Sequence, residues 1–222
     1  MLLLALDTSS PQITVAIHDG STSLVARTQT AAQGHGELLA PMVAEAISAI
    51  GARPADLTAI AVGVGPGPFT GLRVGLATAV VLGYVVDVAV YGVCSLDAVA
   101  AAARDRGIAG PLAATSDALR GEVHWACYDA AGRRGDGPHV GPPDVAAAAI
   151  GARPVVGPGA ARYPEAFAGR GDAGAPVTVA ASCLADLAAA ALARGEPLLP
   201  PQPLYLRRPD AVAGGNRKPV LR

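Results

Sequence analysis

The stretch GVGPGPFTGLRVG, residues 63–75, joins a short apolar segment to a long one. Residues 57–64 fit a buried strand and residues 71–86 fit a helix, so the stretch is a tight loop between them. A glycine-rich turn in this place is typical of phosphate-binding loops, which hold the phosphate with backbone N–H groups. Pro66 and Pro68 have no N–H group, and no lysine lies near them. We therefore predict a rigid connector that fixes the angle of the second helix.

The segments around this loop predict an α/β fold with a mixed sheet. The N-terminal order is β-β-β-α-β-α-β, with strands at 2–6, 13–18, 23–29, 57–64 and 88–93 and helices at 37–50 and 71–86. A second series of the same plan follows. It has helices at 96–104 and 182–194, strands at 111–115, 122–128, 154–156 and 177–179, and a loop at 130–143. Strands that alternate with helices favour parallel pairing of the later strands.

Composition excludes several classes of protein. Of the 222 residues 51% are hydrophobic and 16% charged, which excludes a disordered chain. The net charge of −1 is not that of a nucleic-acid-binding domain, although the last sixteen residues carry a net charge of +4. The N-terminus lacks the basic region of a signal peptide, and the longest uncharged apolar run, residues 74–86, is too short to span a bilayer. We expect a soluble, cytoplasmic protein that does not bind membranes.

The cysteines and histidines do not predict a metal site or a disulfide framework. Cys94, Cys127 and Cys183 are odd in number and lack CxxC spacing. The four histidines (His18, His35, His124 and His139) show no HExxH, HxxxH or HxH spacing. No GxSxG motif is present, so no nucleophile is indicated either.

Asp7, Thr8 and Ser9 follow the first predicted strand and allow two interpretations. A carboxylate at the carboxyl end of a strand in an open α/β sheet is well placed to contact a nucleotide phosphate or its metal. The same residue types also form Asx and Ser/Thr turns, in which the side chains bond their own backbone. The residues alone favour neither alternative.

The two N-terminal helices predict a docking surface. In the second helix Gly71, Gly75, Ala79 and Gly83 form a stripe of small residues, on which another backbone can approach closely. Both helices are more widely apolar than a helix packed on one side needs to be. The predicted partner-binding residues are Leu39, Met42, Val43, Ala46, Ile47, Ile50, Gly71, Leu72, Gly75, Leu76, Ala79 and Gly83. The alternative is burial of the helix pair between this chain's own two halves.

Several motifs resemble the bacterial TsaB (YeaZ) family. They are LALDTSS at residues 4–10, GPGPFTGLRVG at 65–75, His35 with ELLAPM at 37–42, Asp117 with RGEV at 120–123, VGPGA at 156–160 and PLYLR at 203–207. They occur in the family's order over almost the whole chain. Pro68 stands where the family usually has Ser, and Leu119 interrupts the stretch that follows Asp117.

The resemblance implies an actin/Hsp70-like fold of two related lobes. We expect an N-terminal lobe with the docking helices at residues 1–94, a second lobe at 95–206 and a basic tail at 207–222. The resemblance also implies a role in making N6-threonylcarbamoyladenosine (t6A) in tRNAs that read codons starting with A. Family members resemble the catalytic subunit TsaD but lack its metal-binding histidines.

The resemblance further implies the partners. These are a TsaD-like catalytic subunit, a TsaE-like ATPase, a second copy of the chain when it is alone, and tRNA only through the complex. The expected role is a non-catalytic scaffold that needs no cofactor of its own, with ATP and Mg²⁺ acting at the level of the complex. The rival hypothesis is a sugar-kinase-like phosphotransferase that uses Asp7 as its metal-facing carboxylate.

Overall fold

The N-terminal half follows the predicted order of strands and helices. The computed structural model describes residues 1–31, 34–171 and 176–207. The elements are β1 (Leu3–Asp7), β2 (Gln12–His18), β3 (Ser23–Thr30), α1 (His35–Ala49), β4 (Ala59–Gly63), α2 (Phe69–Val86) and β5 (Val90–Val93). A short 3₁₀ turn at Pro54–Asp56 precedes β4. The predicted three-strand meander and both predicted helices are confirmed.

The second half departs from the prediction in four places. Its elements are α3 (Ser95–Asp105), β6 (Leu112–Asp117), β7 (Val123–Tyr128), β8 (Arg134–Gly141), α4 (Pro143–Ile150), β9 (Val155–Val156), α5 (Pro158–Arg162) and α6 (Ala181–Arg194). Most of the predicted loop at 130–143 is therefore the strand β8. Helices α4 and α5 were not predicted, and residues 177–179 are not a strand.

The two sheets share one strand order. In the first sheet, β3-β2-β1-β4-β5, the central β1 is antiparallel to β2 and parallel to β4. In the second sheet, β8-β7-β6-β9, the corresponding β6 is antiparallel to β7 and parallel to β9. The second sheet thus repeats the first four positions of the first. This repeat is the two-lobe, actin/Hsp70-like arrangement that the resemblance implies.

Helices and sheets alternate in layers. Helices α1 and α2 cover the outer surface of the first sheet, and their shared core contains Leu4 and Leu6 of β1. Residues Leu3 and Ala5 of the same strand point to the opposite surface, into a core shared with α3 and α6 between the two sheets. Helices α4 and α5 cover the far side of the second sheet.

The predicted boundary after residue 94 lies between β5 and α3, but the two halves interlock in space. Helix α6, which comes after the second sheet, packs against β1 and β2 of the first. His18 on β2 contacts Asp186 on α6, with 3.0 Å between Nε2 and Oδ1. Residue 94 therefore divides the order of the elements along the chain, but the two lobes are not separate in space. The domain boundary there stays a prediction.

A C-terminal strap, residues 197–207, crosses from one lobe to the other. Leu199 and Gly92 of β5 exchange backbone hydrogen bonds of 2.7 and 3.1 Å. The backbone N–H of Leu204 then donates to the Val64 carbonyl at 2.8 Å. At its end Arg207 forms an ion pair with Glu122 beside the turn between β6 and β7. The rest of the predicted basic tail lies outside the described residues.

Candidate functional site

The predicted docking residues of α1 and α2 lie on the inner face of the helix pair. Of the α1 set, Leu39, Met42, Val43, Ala46 and Ile47 are buried and Ile50 is half-buried in the same core. Of the α2 set, Gly71, Leu72, Gly75, Leu76, Ala79 and Gly83 are all buried. The structure corrects the prediction that these twelve residues face a partner, because they pack on the chain's own sheet.

The glycine stripe is small because the helix lies directly against the sheet and its loops. A Cβ atom on Gly71 would come within 2.5 Å of the Thr8 carbonyl oxygen, and one on Gly75 would overlap the Thr8 hydroxyl. At the other end of the helix a Cβ on Gly83 would overlap the side chain of Val90. A stripe of small residues permits close approach to any neighbour, and here that neighbour is the same chain.

The opposite side of α2 carries large apolar side chains exposed to solvent, which we call the outer face. It consists of Val80, Val81, Tyr84 and Val85, which are 44%, 61%, 89% and 70% exposed. Four neighbouring apolar side chains on one helix are unusual on the surface of a monomer and are typical of an interaction site. The sequence contained a signal for this face, because α2 is apolar all round and its stripe occupies only one side.

Helix α2 is also long and apolar enough, by length and composition alone, to cross a bilayer. In the fold one side of it is fixed on the first sheet through the close contacts of Gly71, Gly75 and Gly83. A helix withdrawn into lipid would lose those contacts.

Asp7, Thr8 and Ser9 are buried and bonded within the chain. The Asp7 carboxylate accepts hydrogen bonds from the Ser9 backbone N–H and hydroxyl, both at 2.7 Å, and from the Ser95 hydroxyl at 2.5 Å. Burial raises the pKa of Asp7, and the hydrogen bonds from Ser95 and Ser9 oppose that rise. A Cβ on Gly63 would overlap the same carboxylate, so β4 passes directly beside it. The turn interpretation describes these contacts better than a nucleotide site does.

Three of the motifs meet at a cleft between the lobes, where the strap passes the start of α2. Phe69 stacks on Tyr205 with 5.4 Å between ring centroids, and the Arg73 guanidinium lies 3.7 Å from the centre of the Phe69 ring. Arg73 also donates from Nε to the Tyr205 hydroxyl at 3.2 Å. The cleft of about 490 Å³ is lined from the other lobe by Leu119 and neighbouring residues of the turn after β6.

The wall of this cleft that belongs to the second lobe has an unusual backbone and a neutral histidine. Leu119 and Arg120 both adopt left-handed conformations, with φ of 60° and 55°, which are uncommon for residues other than glycine. Burial lowers the pKa of His124 to about 4, while the Asp117 charge acts in the opposite direction. At neutral pH the His124 imidazole is therefore uncharged, and its Nδ1 lies 3.1 Å from the Ser116 hydroxyl.

The titratable residues are dispersed rather than gathered at one centre. Over residues 1–31, 34–171 and 176–207, no three His, Cys, Asp or Glu side chains form a group that could hold a metal ion. Among the cysteines, burial raises the pKa of both Cys94 and Cys183 to about 12. Neither thiol is therefore a ready nucleophile at neutral pH.

Comparisons with known proteins agree with the sequence motifs. The family model of TsaD, tRNA N6-adenosine threonylcarbamoyltransferase, matches residues 26–141. An uncharacterized protein of Mycobacterium tuberculosis is 40% identical over 214 residues, which cover 94% of this chain and 93% of that protein. The tRNA threonylcarbamoyladenosine biosynthesis protein TsaB of Escherichia coli is 34% identical over 129 residues, 58% of this chain and 55% of that protein.

Two solved structures match almost the whole length of this chain. YeaZ from Pseudomonas aeruginosa superposes with a TM-score of 0.78 at 31% identity, covering 92% of this chain and 99% of that one. A crystal structure described as similar to the peptidase YeaZ gives a TM-score of 0.80 at 32% identity, with 93% and 99% covered.

Proposed function

The chain belongs to the TsaB (YeaZ) family, and we propose that it takes part in t6A biosynthesis as a non-catalytic subunit that binds and supports a TsaD-like catalytic subunit. The family assignment supports the pathway. The role within it is our inference from the arrangement of the site.

The outer face of α2 is the observation that carries this proposal. It presents three valines and a tyrosine to solvent on a helix whose other side is fixed to the sheet. The cores of protein interfaces are apolar and rich in aromatic residues, and they lack charge. Val80, Val81, Tyr84 and Val85 have this character, and a rigid helix holds them in place.

The contacts of Asp7 favour a supporting role over the kinase-like alternative. A phosphotransferase would need this carboxylate to face a metal ion and the nucleotide phosphates. Here Asp7 is fully buried and bonded to Ser9 and Ser95. The loop after β4 contains Pro66 and Pro68 in place of N–H donors.

The proposal includes the other members of the assembly. A TsaE-like ATPase joins the complex, ATP and Mg²⁺ act there, and tRNA contacts this chain only as part of the complex. In the absence of the TsaD-like subunit, the outer face pairs with that of a second copy. The complex works in the cytoplasm.

The test is the affinity of the chain for the purified TsaD-like subunit of the same cell. Val81→Glu places a charge in the middle of the outer face, where it would be buried without a partner on binding. We expect roughly a hundredfold weaker binding, comparable to the loss of an interface hot spot, with t6A formation by the reconstituted complex falling in parallel. Val145→Glu is the matched control, because Val145 is a comparably exposed valine, 52% against 61%, on α4 of the other lobe.

Two results would contradict this proposal. One is a folded Val81→Glu chain that binds as tightly as the wild type. The other is ATP hydrolysis by the isolated chain that Asp7→Asn abolishes, which would favour the kinase-like alternative.

A further inference from the structure

The hydroxyl of Thr8 is inserted at the start of α2. Thr8 Oγ1 donates to the Gly71 carbonyl at 2.7 Å and accepts from the Gly75 N–H at 3.0 Å. Gly71 and Gly75 are four residues apart, so these are the two groups that an α-helix ordinarily joins to each other. A side chain inserted into this ladder of hydrogen bonds is one of the few recognised causes of a change in helix direction.

The surroundings of Thr8 hold this hydroxyl in place. Thr8 is 1% exposed and lies between Asp7 and Ser9, which are fixed to each other and to Ser95 at the start of α3. On the other side, a Cβ on Gly71 or Gly75 would collide with Thr8 itself. The glycines and the threonine therefore form one fitted contact between the loop after β1 and the first turns of α2.

We propose that Thr8 is a positioning residue for the docking helix, and that the bridge from its hydroxyl to Gly71 and Gly75 sets the direction in which α2 presents the outer face. The inference rests on the proposed function, since it assigns the contact a role in binding the TsaD-like subunit. Tyr84 lies nine residues beyond Gly75, roughly 13 Å along the helix at 1.5 Å per residue. A tilt of about 10° at Gly75 would move Tyr84 by roughly 2 Å, enough to spoil close packing at an interface.

A purely structural role makes a different prediction. Loss of a buried hydrogen bond destabilises a fold wherever it occurs, but it changes partner affinity only if it moves the binding surface. The second lobe offers a matched control. Thr115 is also buried, and its hydroxyl accepts from the Ala160 N–H at 2.9 Å and donates to the Val156 carbonyl at 2.8 Å, away from α2.

The experiment compares Thr8→Val, Thr8→Ser and Thr115→Val for thermal stability and for affinity to the TsaD-like subunit. We expect both valine variants to lower the melting temperature. Thr8→Val should also bind about tenfold more weakly, the equivalent of about 1.4 kcal/mol, at a temperature where it is fully folded. Thr8→Ser, which keeps the hydroxyl, and Thr115→Val should both bind within about threefold of the wild type.

A folded Thr8→Val chain that binds like the wild type would overturn the inference, as would an equal loss of affinity in Thr115→Val. If Thr8→Val does not fold, the double variant Thr8→Ala/Gly75→Ala takes its place. Its added methyl occupies the space that Thr8 leaves, and the helix can close its own hydrogen bond. We expect this chain to fold and to bind weakly, and wild-type affinity would overturn the inference.

Val81→Glu separates the two proposals. If Val81→Glu leaves binding intact, the proposed function fails. If only Thr8→Val fails to weaken binding, the inference about Thr8 fails and the proposed function stands.

Discussion

In both lobes a buried threonine hydroxyl bonds the helix that follows the parallel strand, but the two helices differ in length. In the first, Thr8 bonds Gly71 and Gly75 of α2, which runs for 18 residues. In the second, Thr115 bonds Ala160 of α5, which runs for 5 residues. A buried threonine thus bonds the helix that follows the parallel strand in both lobes, although Thr8 follows β1 whereas Thr115 lies within β6 and donates to the Val156 carbonyl of β9. Only in the first lobe does that helix continue into an exposed apolar surface.

The outer sides of the two lobes differ accordingly. Val80, Val81, Tyr84 and Val85 lie together on α2, whereas the exposed side of α4 carries a single large apolar residue, Val145, among alanines and Asp144. Both lobes therefore hold a helix by a threonine, but the exposed apolar cluster on α2 makes the first lobe the one that we propose to bind a partner.

The largest expected difference between the lobes is in self-association. Because the outer face is apolar and α2 is rigid, the isolated chain should form a two-fold dimer that buries one outer face against the other. Tyr84→Glu should convert the dimer to a monomer in analytical ultracentrifugation, since it would bury two unpaired charges at the dimer axis. Val145→Glu should leave the dimer intact. A Tyr84→Glu chain that remains dimeric would place the contact elsewhere.

The next difference concerns the glycines of helices α1 and α2. Gly75→Ala should destabilise the fold by about 2 kcal/mol, the usual cost of overpacking a core, and lower the melting temperature by roughly 4–8 °C. Gly36→Ala, at an open position in the first turn of α1, should be neutral or stabilising because alanine favours helix. Calorimetry of the two variants measures this contrast, and equal melting temperatures would show that the stripe is not tightly packed.

A smaller difference should appear in acid. The pKa of His124 is lowered to about 4 in the folded chain from its ordinary 6.5, so the fold favours the neutral imidazole. The contribution of neutral His124 to the free energy of unfolding is therefore complete above pH 6.5 and is lost as the pH falls from 6.5 towards 4. At pH 5 the loss should be about 1–2 kcal/mol. Amide hydrogen exchange at pH 5 and 7, corrected for the intrinsic rate, should show β6 and β7 weakening before β1 and β4. His124→Gln should remove this difference between the sheets. Uniform weakening of both sheets would contradict the claim that His124 causes the loss of stability in acid.

The first lobe was largely predictable from the sequence because its strands alternate regularly and its glycines punctuate two long apolar helices. The strand β8 in the second lobe could not be predicted from the sequence, because Gly135, Gly137 and Pro138 are typical of a loop. In the sheet order β8 is an edge strand, where a proline is tolerated because one side of the strand is unpaired.

The candidate site was half predictable. The sequence singled out α1 and α2, but the residues it predicted to face a partner lie on the buried side of these helices, since a small-residue stripe fits a sheet as well as it fits a partner. The buried side of α2 contacts Thr8, a neighbour more than sixty residues away in the chain. No local pattern could reveal that contact. The sequence could not decide whether Asp7 belongs to a turn or to a nucleotide site, because its hydrogen-bond partner Ser95 is 88 residues away.

The central claim is that the TsaD-like subunit binds the outer face of α2 and not the cleft between the lobes. Methyl and aromatic NMR signals of the chain, followed as the purified TsaD-like subunit is added, test it most directly. We expect Val80, Val81 and Val85 methyl groups and the Tyr84 ring to shift or broaden first, while Val145 is unaffected. Changes confined to Leu119, Phe69 and Tyr205 around the cleft, with the outer-face signals unmoved, would contradict it.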